Sequence, residues 1–109
     1  MSFSTAILAA LLGAVTTAGA GYYKDGNAIL LDCTARDETL TTCLGYLDGI
    51  ADAMQGNGIN GFVACISVGV DNGQLRDVVN QFLRNNAPRR HFAAAGLIAH
   101  AFADAFPCR

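Results

Sequence analysis

Four cysteines, Cys33, Cys43, Cys65 and Cys108, constrain the chemistry of this sequence more than any other residues. A cysteine acts as a nucleophile when an imidazole activates it, as a metal ligand when others stand close by, or as half of a disulfide. No C-x-x-C pair is present, so a zinc site is not expected and no metal is assigned. The two histidines, His91 and His100, fall on different faces of one putative helix, so they are not a bidentate metal pair either. An even set of cysteines in a short domain reads as two disulfides, which leaves no free thiol for a Cys–His nucleophilic pair.

Other catalytic constellations find equally little support. Ser67 is the one serine beyond the first few residues, and no G-x-S-x-G surrounds it. Gly56-Asn57-Gly58-Ile59-Asn60-Gly61 is rich in glycine but lacks the lysine and following helix of a phosphate cradle, so it reads as a flexible connector and no cofactor is expected. Asp48 and Asp52 share a helix face away from the apolar stripe and read as solvated surface. The one concentrated charge feature is basic: Arg84, Arg89 and Arg90 cluster around a turn, with Asn85, Asn86 and His91 among them. Cations at a helix C-terminus are favoured by the dipole. Arginine is also an efficient contact residue, so this loop is the candidate partner-binding segment. His91, beside Arg90 at an expected helix start, reads as a cap or a salt-linked surface group.

The compartment follows from the first residues. Met1 to Ala20 carry no charged side chain, Ile7 to Val15 are an apolar run, and Ala18-Gly19-Ala20 is a small-x-small cleavage pattern. Residues 1–20 therefore read as a secretory signal peptide cut before Gly21, and residues 21–109 as a single domain. The usual basic residue near the start is missing, leaving the α-amino group to supply the positive charge. No later stretch approaches the roughly 20 apolar residues a bilayer requires, so no membrane association is expected after cleavage. A formal charge of −2, without a dense Lys/Arg cluster, argues against nucleic acid as a partner.

Periodicity supplies the elements that would position these residues. Leu40, Cys43, Leu44, Leu47, Ile50, Ala51 and Met54 form one helical stripe, with Asp37 as N-cap, Glu38 in the first turn and Gly56 as stop. A helix from Asp71, with Gln74 completing a capping box, carries Leu75, Val78, Val79, Phe82 and Leu83, and ends in Asn85-Asn86-Ala87-Pro88. The last helix is expected from about His91 to Phe106, closed by Pro107, and a shorter one over 27–33. Phe62 to Val70 fits an extended segment, a helical continuation or a buried connector. The fold class is all-α, a small bundle of three to four helices stapled by two disulfides. Cys33 and Cys43 flank one loop. Cys65 precedes the third helix and Cys108 follows the fourth, so an antiparallel pairing of those helices would bring them together. The expected pairs are Cys33–Cys43 and Cys65–Cys108.

An ordered set of short motifs then suggests a family. It comprises Cys43-Leu44-Gly45-Tyr46 with Gly49 and Ala51, Cys65-Ile66 with Gly69-Val70, Gln74-Leu75-Arg76-Asp77-Val78-Val79 with Phe82-Leu83-Arg84, Arg90-His91 with Ala94, and Ala105-Phe106-Pro107-Cys108. In that order the set resembles the Rap/Tai family of immunity proteins, which neutralise peptidoglycan amidase effectors of the type VI secretion system. The resemblance runs from Cys33 to nearly the end of the chain. It implies a periplasmic, helical, disulfide-containing protein, often dimeric, that binds its cognate amidase and blocks the active-site cleft without being an enzyme. Ser67 stands where the family often has proline, and Asn86-Ala87-Pro88-Arg89 replaces a common His-Pro-Glu stretch, so the match covers the framework rather than the specificity. Two other functions are compatible with the residues alone: an envelope binding or chaperone-like helical module with no toxin partner and, ranked last, a small hydrolase.

Overall fold

A computed structural model describes residues 23–109. The expected signal peptide, residues 1–20, and its cleavage point lie outside the described residues. Four α-helices follow in order: α1 (Gly26–Thr34), α2 (Thr39–Ala53), α3 (Asn72–Asn85) and α4 (Ala94–Ala105), with a 3-10 turn at Ala87–Arg89 between the last two. Among the described residues there is no strand, only isolated bridges between Asp25 and Ala93 and between Ile59 and Phe62. The all-α class expected from periodicity is the one observed.

Polar side chains meet the orphan amides at the starts of α1 and α3, whereas α2 and α4 begin without a side-chain cap. Asp25 Oδ1 accepts from the Ala28 N–H at 2.8 Å to begin α1. For α3, Asp71 Oδ1 accepts from the Gln74 N–H at 2.8 Å while Gln74 Oε1 accepts from the Asp71 N–H at 2.9 Å, the reciprocal box expected from the sequence. Asp71→Ala is expected to cost about 1 kcal/mol, read as a lower urea midpoint with unchanged slope. Asp37, expected as the N-cap of α2, stands one residue before that position: Glu38 holds the N-cap place without a side-chain cap bond, and the Asp37 carboxylate accepts from the Thr39 N–H at 2.9 Å. That bond, first among its causes, holds the Asp37 carboxyl below the usual carboxylate range. Its folded value lies below the unfolded one, so its contribution is present at neutral pH and is lost as pH falls through the lowered value.

The core forms where the four helices converge. Ile29 of α1, Leu47 of α2, Val79 and Leu83 of α3, and Ile98 and Phe102 of α4 are all fully buried. Helix α4 buries Ala94, Leu97, Ile98, Ala99, Ala101 and Phe102, most of its circumference, because small alanines let its neighbours approach from several sides. The disulfides join Cys33 to Cys43 and Cys65 to Cys108, with Cα atoms 5.1 Å and 5.0 Å apart. These are the expected pairs. The first ties the end of α1 into α2; the second ties the segment before α3 to the residue that follows α4.

Three further expectations change. The last helix starts at Ala94, not near His91. Residues 90–93 are held as a turn because α1 and the segment before it take their backbone groups: Asn27 N–H donates to the Arg90 carbonyl (3.0 Å), Gly26 N–H to the Phe92 carbonyl (3.1 Å) and Ala94 N–H to the Lys24 carbonyl (2.9 Å). The glycine-rich stretch is not a simple flexible connector. Ile59 and Phe62 exchange both backbone hydrogen bonds at 2.9 Å around Asn60 (φ 52°) and Gly61 (φ 82°), the backbone of a type I′ turn. The open choice over Phe62–Val70 resolves as an irregular connector, whose Cys65 N–H donates to the Phe106 carbonyl at 2.8 Å.

Candidate functional site

The basic segment at the α3–α4 junction divides into residues that hold the fold and residues that present themselves outward. Arg84 and Asn85 close α3 and are exposed, Arg84 where the helix dipole favours a cation. Asn86 folds back, its Nδ2 donating to the Phe82 carbonyl at 2.8 Å and its Oδ1 accepting from Arg89. Arg90 is structural: its guanidinium donates to the Leu83 carbonyl (3.1 Å) and to Asn27 Oδ1 (3.2 Å), stitching the end of α3 to α1. His91 lies on the turn, not on the helix, with its ring 4.3 Å from that of Phe92. The two histidines are therefore on different elements, and their separation owes nothing to helical spacing.

Arg89 occupies the centre of a surface that sequence reasoning did not assemble. Its guanidinium carbon sits 5.7 Å from the Phe82 ring centroid. Phe82 in turn leans on His100 (4.9 Å), and His100 stacks on Phe62 (4.3 Å, 12° between planes). A notch of about 260 Å³ opens between Phe62, Phe92, His100, Asn60 and Arg89, with Gly96 and Leu97 as its floor. Gly96 makes room for this: a Cβ there would lie 2.5 Å from the Asn60 side-chain nitrogen. On the other side of Arg89, Val78, Phe82, Ala101 and Ala105 line a second depression of about 390 Å³. His100 Nε2 is 3.5 Å from Asp104 Oδ2, so the rim carries a carboxylate beside the arginine.

This arrangement suits binding. Aromatic rings supply large contact area at low conformational cost, Arg89 is already held by Asn86 and the Phe82 ring, and a notch with a polar rim takes a single anchoring side chain from a partner. All four cysteines are in disulfides, so neither histidine has a thiol to activate. Among the described residues no three His, Cys, Asp or Glu side chains converge as a metal-binding group, and no helix is long and apolar enough to cross a membrane.

The model of the family described as Rap1a immunity proteins matches residues 25–108, which takes in every helix and all four cysteines. The chain belongs to the Rap1a immunity protein family. No curated protein and no solved structure matches it. Membership implies an immunity role exercised by binding a partner effector.

In this Rap1a immunity protein the matched segment begins at Asp25, the cap of α1, and ends at Cys108, the last disulfide. The Arg89-centred surface lies wholly inside it. Phe62 and His100 could have been linked to that surface from the sequence by one signal: Asn60-Gly61 is a strong type I′ dipeptide, and a tight turn there fixes where Phe62 points. Phe82 gave no such signal, since a helical phenylalanine on an apolar stripe reads as core.

Proposed function

We propose that this protein is exported as residues 21–109 after removal of a signal peptide at 1–20. In the periplasm it binds and inhibits a peptidoglycan amidase effector of the type VI secretion system, so protecting the cell that makes it. Family membership supports the immunity role. The observation that carries the binding reading is the position of Arg89, flanked by two depressions and set over Phe82. Arg84, Asn85, Asn86, Arg89 and His91 form the contact segment, and Arg90 positions them through Leu83 and Asn27. Covering a cleft needs no catalytic group. An interface of standard size, about 1,600 Å², would take in this segment together with the aromatic notch.

The division between contact and support gives a sharp test. Arg89→Glu is expected to weaken binding to the cognate amidase by about 30-fold or more, the loss typical of a central anchor of about 2 kcal/mol. Phe92→Ala, which opens one wall of the notch, should weaken it by about tenfold. Arg109→Glu, at the chain end, should leave affinity within about twofold. Isothermal titration calorimetry reads all three, with circular dichroism to confirm folding. Wild-type affinity in both Arg89→Glu and Phe92→Ala would remove this surface from the interface.

A further inference from the structure

A third concave surface adjoins the second depression through Gln81 and Asn85. The end of α1, the α1–α2 loop and α3 enclose a groove of about 650 Å³. Its polar lining comes chiefly from Arg36, Arg76, Arg84, Asn80, Gln81 and Asn85. Three guanidinium groups meet one carboxylate there, Asp77, in a chain whose formal charge is −2. Arg76 donates to Asp77 Oδ1 at 3.1 Å and 3.3 Å. The guanidinium groups of Arg36 and Arg84 make no hydrogen bond or ion pair among the described residues. The groove is thus a positive inlet in a slightly acidic molecule.

Helical spacing orders its wall. Arg76, Asn80 and Arg84 stand four residues apart on one stripe of α3, and Asp77, Gln81 and Asn85 form the adjacent stripe. Eight residues of helix advance about 12 Å, the length of about four residues of extended chain. Between the two arginines lies a buried amide that a groove ligand reaches only if the Asn80 side chain turns outward. Asn80 is 6% exposed, and its Nδ2 donates to the Cys33 carbonyl at 3.0 Å, but its Oδ1 is buried with no donor. A buried acceptor left without a donor is unfavourable, so a ligand that brings an N–H to the turned-out Asn80 amide is favoured. Sulfate and nucleic-acid phosphodiesters bring acceptors only. An acidic peptide brings both, carboxylates for the arginines and backbone amides for Asn80, with the primary amides of Gln81 and Asn85 placed to meet its carbonyls.

We propose that this groove binds an extended acidic peptide segment, with carboxylates about four residues apart, running along α3 from Arg76 to Arg84. The proposal deepens the immunity reading, on which it rests, by naming a kind of segment the partner presents beyond its active-site cleft. It is tested without the partner. A fluorescein-labelled peptide of alternating Glu and Ala, titrated into the purified oxidised protein at low salt, should raise fluorescence anisotropy saturably, while an alternating Gln-Ala peptide should not. Arg36→Gln with Arg76→Gln should weaken binding at least tenfold, and the corresponding double lysine variant should recover part of it. Side-chain Nε–Hε resonances of Arg36 and Arg84 should shift in NMR spectra on peptide addition. Three results would overturn the proposal: no saturable binding, binding unaltered by the double glutamine variant, or displacement of the peptide by an equal concentration of inorganic phosphate or of a single-stranded oligonucleotide. The two readings fail separately. Peptide binding unaltered in the double glutamine variant removes the groove reading alone, whereas an amidase fully active beside the wild-type protein would remove the immunity reading and leave peptide binding standing.

Discussion

Alanine at both Cys65 and Cys108 is expected to destabilise the protein by about 4 kcal/mol, lowering its melting temperature by roughly 15–30 °C. The cysteines are 43 residues apart, so the bond closes a loop that contains the end of the connector, α3 and all of α4. Both residues are exposed. Little apolar burial is lost with them, and the effect is chiefly the loop-closure entropy returned to the unfolded chain. The Cys33–Cys43 bond closes a loop with a separation of only 10, for which the same entropy amounts to about 2.7 kcal/mol. Those two cysteines are buried in the core, however, so their alanine pair also loses packing and should approach the first pair in cost. Either loss is a large share of the stability available to a domain of this size, and the native state should depend on an oxidising compartment. Thermal unfolding of the purified variants measures it. A loss below about 1 kcal/mol for Cys65→Ala with Cys108→Ala would mean that the helices hold α4 in place without the bond.

The second large effect comes from a single methyl group. Gly26→Ala is expected to cost about 2–3 kcal/mol, because the new Cβ would lie 2.8 Å from the Arg90 carbonyl oxygen and 2.6 Å from Leu97 Cδ1. The leucine could rotate away. The carbonyl cannot, since it accepts the Asn27 N–H and belongs to the turn that precedes α4. Relief would require α1 to lift from the 90–93 turn, which also carries the Arg90 bonds to Leu83 and Asn27. Gly45→Ala and Gly49→Ala make a useful contrast. Both positions lie inside α2 with nothing within 4 Å of a Cβ, so the same substitution should stabilise the helix by about 0.5–1 kcal/mol each. Urea unfolding of the three variants should show opposite signs. A neutral Gly26→Ala would indicate that α1 is not seated against the turn.

Why the cysteine pairing was readable and the contact surface was not comes down to sequence range. The helices bearing Leu40 to Met54 and Leu75 to Leu83 announce themselves through apolar spacing, and Asp71 with Gln74 marks a start within one turn. Once the element order is known, few cysteine pairs can close. The start of α4 was misplaced because nothing local distinguishes His91 from Ala94. The decision is made by Lys24, Gly26 and Asn27, more than sixty residues earlier. The same holds for the Arg89 surface: Phe62, Phe82 and His100 come from a turn and two helices, and each alone reads as ordinary apolar or surface residue. Arg90 shows the converse, since composition places it with Arg89 whereas its hydrogen bonds place it in the scaffold. Asn80 passed unnoticed next to Val79, because only the packed structure reveals that its amide caps the Cys33 carbonyl.

The most direct test of the account is a titration of the proposed cognate peptidoglycan amidase with this protein, following release of stem peptides from purified peptidoglycan. The predicted result is loss of activity that is complete near one equivalent of inhibitory unit, with Arg89→Glu requiring a large excess to reach the same inhibition. Undiminished hydrolysis at a tenfold excess of the wild-type protein would contradict it.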